Sequence, residues 1–290
     1  MTDWSVVVLA HGDGPAPSTV RHLMAEGVDP GSILVVHNPS DDQPRARGFD
    51  QRVAVLDRAR NDGYGPAMND GIAWARRQGG EVVLLLTDDV RTSLAALRTL
   101  AEDCASPDVA LVGPLLRHAV TGRVVSAGGL LDRDGNIAHR FDALPAALRE
   151  VDWVDGAVVA ARVDVAQFPD DFFLYVEDVA AAVAARRAGY RVLCDTRVEA
   201  RTAPGVEGRT ELFRYLVWRN RIALARRELG VRAVAATVAR LAAAAVVRPV
   251  TAAREAGDQA VGTAMARVYL RALSDGLTGR MGRPGRDLLH

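Results

Sequence analysis

The chain has 290 residues, enough for one large domain or a domain with an appendage. Hydrophobic residues make up 49%, so a sizeable core is available and disorder is excluded as the default state. The 36 basic residues, all arginine, balance 36 acidic ones, and zero net charge argues against a nucleic-acid binder.

Residues 5–10 (Ser-Val-Val-Val-Leu-Ala) form a short apolar, β-branched run of the kind buried on both faces of a parallel sheet. A helix is expected over 18–26, strands over 32–36 and 53–56, and a polar loop over 37–42. A turn cluster at 61–66 precedes a helix at 67–77; a strand at 82–86, a helix at 93–103 and a strand at 109–112 follow. Alternating short strands and helices imply a doubly wound α/β sheet. Further on, strands are expected at 123–131, 152–161 and 190–194, and a helix at 178–188 that Gly189 stops. From about residue 210 the chain reads as helical, with a soft boundary at 205–210 and a loosely ordered Gly- and Arg-rich tail at 276–286.

Cys104 and Cys194 have neither metal-ligand spacing nor a disulfide framework, so both are expected as buried thiols. No signal-peptide pattern opens the sequence. The apolar stretch 233–247 is mostly alanine, contains Arg240 and is too short and weakly hydrophobic for a span. The expected location is cytoplasmic, with at most peripheral contact at the inner face of a membrane.

Gly12-Asp-Gly14 after the first strand invites a dinucleotide fingerprint, but Pro15 and Pro17 occupy the turn and the helix start, where close packing needs a small residue. A nucleotidyltransferase would need a basic Gly-rich loop that is absent. Two acidic clusters carry more. Thr87-Asp88-Asp89 follows a buried strand, and ligands of open α/β sheets bind beyond the carboxyl ends of strands. Carboxylates there suit Mg²⁺ or Mn²⁺ shared with phosphates, although either Asp also fits a simple helix cap near Ser93. Glu177-Asp178 opens a helix after the apolar run Phe172, Phe173, Leu174 and Tyr175; the alternatives are a general base and an ordinary helix-dipole acid. The segment 61–71 mixes glycines, among them Gly63 and Gly65, with amides, and reads as a ligand-approach loop or a plain helix cap.

Taken in order, several segments resemble the family 2 inverting glycosyltransferases, in their rhamnosyltransferase-like and galactofuranosyltransferase-like branch, over residues 4–225. They are Val35-Val-His-Asn-Pro-Ser40, Asn61-Asp-Gly-Tyr-Gly-Pro-Ala-Met-Asn69, Leu84-Leu-Leu-Thr-Asp-Asp-Val90, Ser126-Ala-Gly-Gly129, Val151-Asp-Trp-Val-Asp-Gly-Ala157, Asp170-Asp-Phe-Phe-Leu-Tyr-Val-Glu-Asp178, Arg187-Ala-Gly-Tyr-Arg-Val192 and Trp218-Arg-Asn220. The resemblance implies a GT-A fold: α/β, with a mostly parallel central sheet, helices on both faces and a C-terminal helical extension. The catalytic domain would cover 1–208, with a nucleotide half at 1–113 and an acceptor half at 114–208, and the extension 209–290. It implies transfer of a sugar from a dTDP-rhamnose-like or UDP-sugar donor to a glycan, lipid-linked or small-molecule hydroxyl, assisted by Mg²⁺ or Mn²⁺.

By the same resemblance Ala10, His11 and His37 lie at the nucleobase, and Asn38, Asn61, Gly63 and Asn69 near the nucleotide. Asp88 and Asp89 hold the metal, Asp89 the more secure ligand; Trp153, Asp155 and Gly156 border the donor sugar and acceptor, and Arg219 the donor; Asp178 is the base, oriented by Glu177. Departures are His37 for the family's Asp, Thr87 for the first acid or amide of the metal motif, Ala180 for a third acid, and no His near 199–201, where Arg201 is the substitute cation. Those departures support a competing expectation, a degenerate nucleotide-sugar binder without chemistry. The C-terminal helices are expected to cap the acceptor site and to contact a second copy.

Overall fold

The protein is described from a computed structural model over residues 3–12, 14–40, 45–142, 146–203, 211–285 and 288. The expected polar loop at 41–42, the boundary at 205–210 and the end of the tail at Arg286 lie outside the described residues. Contacts divide the chain into two units. The first is Met1–Leu130, Ala138–Asp170 and Asp178–Gly205; the second is Leu131–Ile137, Asp171–Glu177 and Val206–His290.

The first unit begins β1 (Trp4–His11), α1 (Ala16–Ala25), β2 (Ile33–Asn38), β3 (Ala54–Asp57), α2 (Tyr64–Arg77) and β4 (Val82–Thr87). It continues with β5 (Arg91–Thr92), α3 (Leu94–Cys104), β6 (Val109–His118), β7 (Val124–Ser126), the pair β8 (Gly129–Leu131) and β9 (Ile137–His139), β10 (Leu148–Glu150), β11 (Val158–Arg162), α4 (Glu177–Arg187) and β12 (Arg191–Thr202). Among the described residues a ten-stranded sheet runs β10-β12-β6-β11-β4-β1-β2-β3, with β5 on β12 and β7 on β6. Strands β3, β2, β1 and β4 are mutually parallel, as are β6 and β12, whereas β11 runs antiparallel between β4 and β6.

Alternation puts helices on both faces. Val6, Val8 and Ala10 of β1 share a core with Val20 and Leu23 of α1 and Leu97 and Leu100 of α3. Val7 points the other way, against α2, where a Cβ on Gly71 would lie 2.6 Å from Val7 Cγ1. Cys104 and Cys194 are buried, and burial pushes both thiols up to about 12.

Local chemistry moved several boundaries. The helix expected from 67 starts at Tyr64, because Gly63 takes φ 104°, which turns the chain into the helix without a Cβ penalty. The strand expected over 152–161 forms only from Val158; the polar segment before it is loop. The strand expected over 123–131 splits at Gly128, whose φ is 84° and where a Cβ would lie 2.6 Å from Val151 Cγ1. The last strand runs to Thr202, past an irregularity between Asp195 and Glu199.

The second unit holds α5 (Glu211–Leu224), a π turn, α6 (Val231–Ala256) and α7 (Gln259–Thr278). Helix α7 passes through Gly276, part of the tail expected to be loose; a Cβ there would stand 2.9 Å from Ile222 Cβ, so the glycine allows close packing on α5. Helix α6 is longer than the apolar stretch suggested and passes the length and composition test for a membrane span, at mean hydropathy 1.6 with 22% of that window buried. Phe173, Tyr175 and Val176 all take positive φ of 69–71°, a costly run for residues with bulky side chains. Asn220 holds this turn, its Nδ2 donating to the carbonyls of Phe172, Leu174 and Tyr175 at 2.7–3.0 Å.

Candidate active site

Parallel register brings the carboxyl ends of β1, β2 and β4 together: Ala10 stands beside His37, His11 beside Asn38, and Leu9 beside Thr87. Beyond this edge lie the segments that the sequence singled out. His11 Nδ1 sits 3.2 Å from the Asn38 carbonyl, with Asn61 Nδ2 3.4 Å from the same nitrogen. Asn61 Oδ1 accepts from Gly63 N at 2.9 Å, closing the turn into α2. His11 is exposed at this edge and Asn61 half-buried, so both can meet a ligand.

Four expected donor contacts are instead structural brackets. Asn38 is buried, its Nδ2 donating to Gly63 O at 3.0 Å and its Oδ1 accepting from Arg58 at 3.0 Å. Asn69 donates to Phe168 O and Asp170 Oδ1, both at 2.8 Å, and accepts from Phe168 N at 2.9 Å, which pins residues 168–170 to α2. Trp153 is 3% exposed and donates to Leu130 O at 3.2 Å. Arg219 is 1% exposed and donates to the carbonyls of Phe172 and Gly282 at 2.7 and 2.8 Å; burial lowers its pKa. His37 is buried too, with Nδ1 3.1 Å from Asp57 Oδ1 and no partner for Nε2 among the described residues.

At the end of β4, Asp88 faces the loop after β1: a Cβ on Gly14 would lie 2.4 Å from Asp88 Oδ2. The Gly12-Asp-Gly14 signal therefore had a cause, close approach of that loop to an acid. Thr19 of α1 donates to the Asp88 carbonyl and itself accepts from Arg91 at 2.7 Å. Burial, and then the neighbouring Asp89 charge, push the Asp88 carboxyl up to about 6. Asp89 accepts from Thr87 Oγ1 on one oxygen, and from Thr202 Oγ1 and Ala203 N on the other, at 2.6, 2.6 and 3.0 Å. These donors tie the loop to the end of β12. Among the described residues no three His, Cys, Asp or Glu side chains gather to hold a metal.

The second acidic cluster meets the same edge. Thr87 N donates to Ala157 O at 3.0 Å, carrying the β4–β11 pairing past Leu86 and Val158. One residue earlier, Gly156 N donates to Asp178 Oδ2 at 3.1 Å, and Val179 N donates to the other oxygen at 2.8 Å. A short hydrogen-bonded path thus links Thr87-Asp88-Asp89 to Asp178. Glu177, next in the chain, is 5% exposed. Burial first, and then the Asp155 charge, push Asp178 up to about 7. Asp155 accepts from Ala157 N at 2.9 Å and lies 3.9 Å from His139 Nδ1, whose ring packs edge-on against Trp153 at 4.6 Å.

Tyr64 completes the corner, donating to Gly156 O at 2.6 Å. Sequence reasoning missed Tyr64, Thr202, Asp57 and His139. Of these only Tyr64 carried a signal, its place between Gly63 and Gly65; the others acquire meaning from strand pairing. The Gly128-Gly129 pair is explained by packing, since a Cβ on Gly129 would lie 1.9 Å from Trp153 Cε2.

No family model and no curated protein matches the sequence. Solved structures do match. GalNAc-T7 with UDP, GalNAc and Mn²⁺ superposes at TM-score 0.62 and 14% identity, covering 78% of this chain and 48% of that one, so the chain spans about half its length. The mannosyltransferase PcManGT from Pyrobaculum calidifontis, in complex with GDP-Man and Mn²⁺, gives 0.53 at 16% identity, covering 96% and 88%. S. aureus TarS 1–349 gives 0.51 at 13% identity, covering 96% and 92%. The chain has the GT-A fold. The fold implied by the resemblance is therefore present, while the particular branch is not distinguished at these identities.

Proposed function

We propose that the protein is an inverting glycosyltransferase that moves a sugar from a nucleotide-diphosphate donor, dTDP-rhamnose-like or a UDP-sugar, to an acceptor hydroxyl. The observation that carries this reading is the path from Thr87 through Ala157 and Gly156 to Asp178, which gives two acids of different duty one sheet edge. Asp178 accepts the acceptor's proton as its oxygen attacks the anomeric carbon on the side opposite the diphosphate. Gly156 and Val179 N–H groups hold both carboxylate oxygens, so the base is oriented before the acceptor arrives. A pKa near 7 keeps Asp178 basic enough to take a proton and ionised above neutrality. Glu177 is read as its orienting neighbour, and His11 and Asn61 as ligand contacts at the nucleotide end.

Asp88 and Asp89 fit a divalent ion. Adjacent carboxylates, one of them raised by burial and by the other's charge, are stabilised by a hard cation whose remaining positions go to phosphate oxygens. GalNAc-T7 and PcManGT hold Mn²⁺ in their structures, which supports Mg²⁺ or Mn²⁺ as the cofactor. When bound, such an ion offsets charge on the departing diphosphate.

A second reading, nucleotide-sugar binding without transfer, is favoured by the three donors on Asp89, which resemble a structural latch. One experiment separates the two. Purified protein is incubated with UDP-, GDP- and dTDP-sugars, Mn²⁺ and a panel of glycan, lipid-linked and small-molecule acceptors, and nucleoside diphosphate release and product configuration are followed by NMR. Release of diphosphate that Asp178→Asn slows by about 10²–10⁴ supports the transferase. Donor binding with no release in any pairing removes it.

A further inference from the structure

The second unit contains a cleft of about 270 Å³, close to the lower end of the roughly 300–1,000 Å³ typical of ligand pockets. Arg214 and Arg221 of α5 and Arg248 of α6 line it, with Phe213, Trp218 and Tyr269 as aromatic walls and no acidic residue. Helical spacing explains the lining: Trp218 and Arg221 follow Arg214 at i+4 and i+7, so the three share one face of α5. Arg221 is held in place, donating to Ile137 O at 3.2 Å and stacking 5.6 Å over Trp218.

Arg214 and Arg248 form no ion pair with a described residue. Their neighbours differ: Arg227 pairs with Asp171, Arg232 with Asp134, and Arg271 and Arg280 with Asp275. Arg214 and Arg248, cations in one concave place without an ion-pair partner among the described residues, repel one another, and a polyvalent anion reverses the sign of that interaction. Guanidinium forks match the oxygens of phosphate and present several donors at once. Aromatic walls give the group attached to the phosphate an apolar surface.

We propose that this cleft binds a phosphate-bearing ligand, with the Arg214 and Arg248 guanidinium groups on the phosphate oxygens and the aromatic rings against the group that the phosphate carries. The site stands apart from the transferase reading and survives its failure. Two sources share this chemistry. Val246 and Val247, next to Arg248, are 69% and 57% exposed, and an apolar lip suits a lipid headgroup. A soluble phosphate ester needs only the arginines and the rings.

The test compares the full chain with Arg214→Gln/Arg248→Gln. Inorganic pyrophosphate is titrated by calorimetry without divalent ions, so that a metal-dependent site elsewhere stays silent. Co-sedimentation is measured with phosphatidylglycerol vesicles and with phosphatidylcholine vesicles. Expected is salt-sensitive binding of pyrophosphate, anionic vesicles or both, weakened at least tenfold in the double variant. Pyrophosphate binding alone assigns a soluble ester, and vesicle binding lost in the variant assigns a headgroup. If the double variant fails to fold, Arg248→Gln alone, at an exposed position, carries the same comparison. Wild-type protein that binds neither probe, or a folded variant that binds as wild type does, overturns the proposal.

Discussion

Replacing Asp178 with Asn is expected to stabilise the protein above neutral pH while slowing the proposed transfer. Burial and the Asp155 charge raise this carboxyl from 3.8 to about 7, so between those values the folded chain holds a proton that the unfolded chain has lost. Stability therefore falls as pH rises through that window, and the whole deficit is present above about 7. A rise of that size corresponds to roughly 4 kcal/mol. Asn retains one acceptor for the N–H groups of Gly156 and Val179 and forfeits the other, which gives back about 1–1.5 kcal/mol. A net gain of about 2.5–3 kcal/mol remains, or about 5–12 °C in melting temperature for a chain of this size. Thermal melts of both proteins from pH 4 to pH 8 check it: the variant's advantage should be largest at pH 8 and be lost as pH falls toward 4. A difference independent of pH, or a variant less stable than wild type at pH 8, would refute the reading of Asp178 as a half-buried, charge-strained carboxyl.

The same electrostatics fix the pH–rate profile: transfer should rise through about pH 7, and Asp155→Asn should move that limb to lower pH by removing a like charge beside Asp178. Initial rates from pH 5.5 to 9 decide this, and an unmoved limb in the variant counts against it. Gly129→Ala drives a methyl to 1.9 Å from the buried Trp153 indole and should cost about 1–3 kcal/mol, read as a lowered melting temperature. Asn220→Ala leaves the Leu174 and Tyr175 carbonyls of the left-handed turn without their side-chain donor, while Phe172 O keeps Arg219, and should cost about 2–4 kcal/mol in denaturant unfolding, whereas a loss under about 0.5 kcal/mol would mean that the turn holds itself.

Apolar runs such as Val82–Thr87 announced strands buried on both faces, and Gly189 marked where a helix ends. These features need only neighbours in the chain, so composition and spacing determined them. Asp88, Asp89 and Asp178 were visible as acids placed just beyond apolar segments, and their chemistry as carboxylates followed from residue type. Their environment did not, because a pKa depends on what surrounds a group in space. Tertiary structure decided that Asp88 and Asp178 are raised, that Thr202 reaches back to Asp89, and that β11 enters the sheet antiparallel beside β4 and so delivers Gly156 to Asp178. It also decided that Asn38, Asn69 and Arg219, which a linear motif reads as ligand contacts, hold backbone instead. A polar residue near a cleft and one bracing its wall have the same letter in the sequence. Only the direction of the side chain, set by packing between distant segments, separates them.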